Sequence, residues 1–267
     1  MQVILTFFIM QFCLIYSFYQ LGAADFHVIL VGDALSTDIF QATKSDVEKI
    51  KNEVRIIAKS GNYKLKLTIF YDKKPIAADV LQAIKNLQPK ANDLVLFYFS
   101  GHGYRTPLNG DDPWPNLDFP FEHKGICLKG IIELIKEKKA GLSIILADCC
   151  NWKIPQKVAP PILKSPPSFV TARQKRLNYR RLFCATSGVI AIASARAGKP
   201  SYCTIEGSFY TNSFLASLQA VVESNKNGVN WSAVFDGAYG QMKTVLDRYN
   251  LEQDTHLEQD AVVYTSF

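Results

Sequence analysis

Two apolar runs, each ending abruptly on reactive side chains, constrain this chain more than any other feature. Leu94-Val95-Leu96-Phe97-Tyr98-Phe99 leads into Ser100-Gly101-His102-Gly103, and Ser143-Ile144-Ile145-Leu146-Ala147 leads into Asp148-Cys149-Cys150-Asn151. Nearly uncharged, β-rich runs of this length read as strands buried on both faces, as in a parallel sheet covered by helices. In such a sheet the carboxyl ends of neighbouring strands lie side by side, and the crevice beyond them is where ligands bind. A histidine and a thiol delivered to that edge form a base and nucleophile pair.

The rest of the chain alternates as such a sheet requires. Phe26 to Val31 is a short apolar strand. Val47, Ile50, Val54 and Ile57 recur at helical spacing, with Ser45-Asp46-Val47-Glu48 as a capping box at the start and Gly61-Asn62 at the end. Lys64 to Tyr71 alternates as a half-buried strand, and a helix covers about Ala77 to Leu87. The stretch from Tyr104 to Lys124 is a long loop, of the kind used as a lid or binding loop. A helix from Gly130 to Lys139 precedes the second reactive strand. Asn151 to Arg181, with five prolines and many basic residues, reads as irregular. Val189 to Ala193 is a strand, about Phe209 to Glu223 and Ser232 to Tyr249 are helices, and Val262 to Tyr264 closes the sheet. Strands alternating with helices predict an α/β fold on a mostly parallel sheet. A length of 267 residues, 48% hydrophobic, suits one such domain.

Val3 to Tyr19 is almost wholly apolar and uncharged, and Gly22-Ala23-Ala24 places small side chains before Asp25. This layout predicts a secretory signal peptide over residues 1–24, with an uncleaved N-terminal membrane anchor as the alternative, since no Lys or Arg precedes the run. Either way, residues 25–267 are expected outside the cytoplasm, periplasmic or secreted. Cys127, Cys149, Cys150, Cys184 and Cys203 follow the signal, an odd number that leaves at least one thiol free or paired between chains. A free thiol in an oxidising compartment favours a thiol enzyme over a disulfide-stapled module. No two cysteines have metal-ligand spacing, so no metal or cofactor is expected. The net charge of +6 is concentrated between Lys153 and Arg181 without interleaved aromatics, which reads as a solvated loop and not a nucleic-acid site.

Ser100-Gly101-His102-Gly103 followed by Asp148-Cys149-Cys150 resembles the caspase-like cysteine peptidases, and within them the metacaspases and their bacterial relatives. The 48 residues from His102 to Cys150 fit the histidine about 50 residues upstream in caspases. A third block, Gly207-Ser208-Phe209-Tyr210-Thr211-Asn212-Ser213-Phe214-Leu215, looks like the stretch that opens the penultimate helix in these enzymes. The likeness runs from about Asp25 to the C-terminus. It implies a three-layer caspase-like fold with a mostly parallel six-stranded sheet flanked by helices, and a cysteine endopeptidase acting on proteins or peptides. It also implies His102 as base, Cys150 as nucleophile, and the amides of Gly103 and Cys150 as oxyanion donors. Strand alternation puts Asp148 and Cys150 on one face and Cys149 on the other, and the family's Asp-x-Cys pattern picks Cys150 of the two.

In metacaspases an aspartate at the position of Asp148 lies at the base of an acidic primary pocket that selects Arg or Lys before the scissile bond. The resemblance therefore implies cleavage after basic residues, with Asp148 binding substrate. A second family acid lies in the loop after the histidine; Asp111, Asp112 and Asp118 are the candidates, with Asp112 named as a substrate contact. Ser194 to Tyr202 occupies the place of a substrate-lining loop, with Ser194 as a contact and Arg196 able to oppose a basic substrate if it points inward. Asn151 stands where metacaspases usually have histidine. The 151–181 stretch, with Lys153, Lys157, Lys164, Arg173, Lys175, Arg176, Arg180 and Arg181, is the expected site of self-cleavage. Two other readings compete. One is a catalytically silent caspase-like scaffold. The other is a related peptidase with Asn or Asp preference, such as the legumain-like enzymes, whose Glu-Ala-Cys differs from Asp-Cys-Cys here.

Overall fold

A computed structural model describes residues 23–71, 76–119, 122, 124–152, 170–225 and 228–267. In chain order the elements are β1 (Asp25–Gly32), α1 (Phe40–Gly61), β2 (Lys64–Phe70), α2 (Ala77–Lys85), β3 (Leu94–Ser100), β4 (Gly103–Tyr104), β5 (Asn116–Phe119), β6 (Lys124–Cys127), α3 (Leu128–Lys136) and β7 (Leu142–Asp148). They continue with α4 (Ala172–Phe183), β8 (Gly188–Ala193), β9 (Cys203–Thr204), β10 (Gly207–Ser208), α5 (Phe209–Val222), α6 (Trp231–Gln253) and β11 (Val262–Ser266). The main sheet has six strands in the order β11-β8-β7-β3-β1-β2. All its pairings are parallel except that of β11 with β8.

Side chains alternate across the sheet, so each strand feeds two cores. On one face Val28, Leu30, Tyr98, Ile144, Leu146 and Ile192 pack beneath α1, α4, α5 and α6. On the other, Ile29, Val31, Phe97, Phe99, Ile145 and Ala191 pack beneath α2 and α3. Every residue of β3 and β7 is buried, as two-sided coverage demands. The three-layer, mostly parallel six-stranded architecture is the one the sequence predicts.

Three local expectations are corrected. The first helix starts at Phe40, not at Ser45. Asp33 organises its approach: its carboxylate takes the amides of Leu35 and Ser36 at 2.9 and 3.0 Å, and its carbonyl takes the Thr43 hydroxyl at 2.6 Å. Ser45 lies inside the helix and donates to the Glu206 carbonyl, while Asp46 is wholly buried, so neither belongs to a capping box. The long loop after His102 carries a small antiparallel sheet, β4-β5-β6. The irregular stretch ends early, because Thr171 caps α4 by accepting the Gln174 amide and Tyr179, Leu182 and Phe183 bury that helix in the core. The last proline of the stretch is Pro167, so nothing blocks a helix beyond it. Arg173, Lys175, Arg176, Arg180 and Arg181 therefore sit on a helix, whereas Lys153, Lys157 and Lys164 lie outside the described residues, as does the apolar N-terminal segment up to residue 22, where a signal peptide or anchor is expected. Among the described residues, no helix is long and apolar enough to cross a membrane.

Candidate active site

Strands β3 and β7 are neighbours with Ser100 opposite Asp148, so His102 and Cys150 leave the sheet from adjacent strand ends. The Gly101 amide donates to the Asp148 carbonyl at 3.3 Å. Gly103 approaches so closely that a Cβ there would stand 2.5 Å from both the Cys149 Sγ and the Cys150 carbonyl oxygen. Only a residue without a side chain tolerates that contact. From the other side, the Asp118 amide donates to the His102 carbonyl at 3.0 Å and fixes the turn. His102 and Cys150 both line a cavity of about 430 Å³ at this edge of the sheet.

The two cysteines part company as alternation requires. Cys149 joins the apolar cluster on the α2–α3 face, and burial pushes its thiol well up. The Cys150 Sγ accepts the Ser201 amide and donates to the Ser201 carbonyl, both at 3.4 Å. Burial pushes the Cys150 thiol up as well; the Ser201 backbone contact opposes the rise, and the Asp148 charge adds to it. A thiol held in its protonated form needs a base before it can attack.

Beneath the cavity lie two buried carboxylates. Asp148 accepts the Ser201 hydroxyl at 2.8 Å on one oxygen, and the Thr211 amide and hydroxyl at 2.9 and 2.6 Å on the other. Asp46 accepts the Ser208 amide at 2.9 Å, the Ser100 hydroxyl at 2.8 Å and the Ser208 hydroxyl at 2.5 Å. Burial, and then the charge of Asp148, push Asp46 up to about 7; burial also raises Asp148, against its hydrogen bonds from Thr211 and Ser201. Like charges sharing a dry site do not both ionise freely, so the pair retains a proton near neutrality. Gly207, at φ 106°, lets the β9–β10 hairpin reach this site; a Cβ there would fall 2.3 Å from Asp46 Oδ1.

Asp148 lines the cavity, but Ser194 and Asp112 are not among its lining residues. Ser194 is wholly buried and braces the end of β7, taking the Cys149 amide at 3.1 Å and reaching the Ser201 hydroxyl at 3.0 Å. Asp112 pairs with Lys129 at 3.0 Å and takes the Trp114 amide, which holds the loop after the histidine together. Arg196 pairs with Asp260 at 3.1 Å and likewise does not line the cavity. Asn151 is buried and bridges two loops by donating to the Pro113 and Ala195 carbonyls. Asp25, His27 and Asp93 gather at the opposite end of the sheet, where Asp93 is already occupied by the Asp25 and Lys90 amides and the His27 ring.

Two acids escaped the sequence reading. Asp46 carried a signal, because it falls on the same helical stripe as Val47, Ile50 and Val54 and is therefore an acid facing the core. Asp38, whose Oδ1 lies 3.3 Å from His102 Nε2, sits in a loop with no periodicity to reveal it.

The family model for the caspase domain, a peptidase family, matches residues 35–244. A search among curated proteins finds no match. Among solved structures, a crystal structure of a protein from Geobacter sulfurreducens superposes with a TM-score of 0.53 at 11% identity, covering 91% of this chain and 93% of that one. At that identity the superposition speaks for the fold alone. The family match spans most of the chain, and the chain belongs to the caspase-domain peptidases.

Proposed function

We propose that the protein is a cysteine endopeptidase in which His102 activates Cys150 for cleavage after Arg or Lys. The observation that carries this reading is the convergence of His102 and Cys150 on one cavity with Asp148 in its wall and Asp46 behind it. His102 takes the thiol proton as the sulfur attacks the scissile carbonyl carbon. The carbon–sulfur bond forms and the carbonyl electron pair becomes an oxyanion, for which the amides of Gly103 and Cys150 are the donors. The protonated histidine then gives its proton to the leaving amine as the carbon–nitrogen bond breaks, and water hydrolyses the thioester. A guanidinium or ammonium group in the cavity would face Asp148 and gain charge-assisted hydrogen bonds. The Arg196–Asp260 and Lys199–Glu258 pairs support the same specificity, since they engage both cations that the sequence places in the substrate-lining loop.

The apolar 3–19 segment supports export of the domain that follows it. Self-cleavage is read as confined to Lys153, Lys157 and Lys164, because the remaining basic residues of that stretch are helical. Fluorogenic peptides ending in Arg, Lys, Asn or Asp test the reading. Arg and Lys peptides should be cut by the wild type and spared by Cys150→Ala and His102→Ala. Preference for Asp or Asn peptides would reject the acidic pocket, and cleavage of none would favour a silent scaffold.

A further inference from the structure

The loop between β1 and α1 brings His102 a carboxylate that neither strand end supplies. Asp38 Oδ1 lies 3.3 Å from His102 Nε2, and both residues line the cavity with Cys150. The side chains are 17% exposed for the histidine and 24% for the aspartate, so the pair sits at the rim of the cavity, partly open to water. The loop is tied to the strand that carries the histidine. The Asp33 amide donates to the Ser100 carbonyl at 2.9 Å, and the Asp33 carboxylate takes the Leu35 and Ser36 amides and the Ser36 hydroxyl. The Ser36 carbonyl then accepts the Ile39 and Phe40 amides at 3.1 and 3.0 Å, which closes a turn around Asp38. A carboxylate in a braced turn, aimed at a ring nitrogen, has a defined effect on that ring.

A neutral imidazole donates from one nitrogen and accepts at the other. An acceptor at Nε2 selects the tautomer protonated there and leaves the Nδ1 lone pair to receive the thiol proton. The same carboxylate stabilises the imidazolium that forms during thiol attack. We propose that Asp38 is a positioning residue, the third member of a Cys150–His102–Asp38 set, which fixes the tautomer and orientation of the base. The proposal rests on His102 being that base. Asp38 touches no reacting atom and acts only through the ring.

Asp38→Ala, Asp38→Asn and Asp38→Glu, made in the full chain beside His102→Ala, test it with an Arg peptide. Asp38→Ala should lower kcat by about 10-fold to about 10,000-fold, between the loss for partners that orient metal-bound histidines and that for an aspartate that orients a catalytic histidine, with KM within about twofold. Asp38→Asn should do at least as badly, because its amide can donate to the ring and favour the wrong tautomer, whereas Asp38→Glu should recover part of the loss. Nitrogen NMR of the histidine rings in Cys150→Ala should show His102 protonated on Nε2, and this signature should be lost when Asp38→Asn is added. Wild-type kcat in Asp38→Ala, a loss confined to KM, or an unchanged tautomer would overturn the proposal while leaving the dyad intact. Activity surviving in His102→Ala would instead overturn the choice of base.

Discussion

Replacing Asp46 by Asn should change how stability depends on pH. Asp46 is wholly buried, and burial together with the charge of Asp148 lifts it from an ordinary 3.8 to about 7. The folded state therefore binds a proton that the unfolded chain has released over that interval. Stability falls as pH rises from about 4 to about 7 and is level with respect to this group above that. At 1.36 kcal/mol per unit, the rise amounts to about 4 kcal/mol of stability lost between acid and neutral pH. Asparagine cannot ionise, yet it keeps the partners satisfied: its oxygen can accept the Ser208 amide, and its amide can donate to the Ser100 and Ser208 hydroxyls, which turn to accept. The variant should match the wild type near pH 4 and exceed it by up to about 4 kcal/mol near pH 8. Urea unfolding of both proteins at several pH values measures this difference, in which the titrating groups other than Asp148, whose titration is linked to that of Asp46, largely cancel. A stability difference that stays constant across the range would refute the description of Asp46 as a strained, buried acid.

Three further outcomes follow from the site. KM for Arg peptides should fall as pH rises toward 7, since a bound cation favours the ionised form of Asp46 and Asp148; a profile flat in KM would contradict this. Gly103→Ala should destabilise the protein by about 1–3 kcal/mol and cut kcat/KM steeply, because its Cβ would press on Cys149 and the Cys150 carbonyl. Cys149→Ala should cost about 1 kcal/mol in denaturant unfolding and leave peptide cleavage intact.

How far the site was readable follows from which forces set each part. Unbroken apolar runs made β3 and β7 and their two-sided burial legible, and the alternation of side chains along a strand made the opposite facing of Cys149 and Cys150 legible, because both depend on the local chain alone. The start of α1 was misread because its approach is capped by Asp33, several residues upstream and outside the helix, while Ser45-Asp46-Val47-Glu48 mimicked a local cap. Helix α4 was hidden by the prolines and charges before it, and its buried face of Tyr179, Leu182 and Phe183 is short. Asp112 and Ser194 lie near the right loops, but what they touch is decided by long-range contacts with Lys129 and Ser201. Asp38 reaches His102 across 64 residues of sequence, a separation that no pattern records.

Cleavage by Cys150 after basic residues would leave its mark on every new peptide end. Incubating a proteome-derived peptide library with wild-type protein and with Cys150→Ala, then sequencing the new ends by mass spectrometry, tests it most directly. New ends should follow Arg or Lys with the wild type and be missing with the variant. Cuts after Asp or Asn, or the same cuts made by Cys150→Ala, would contradict it.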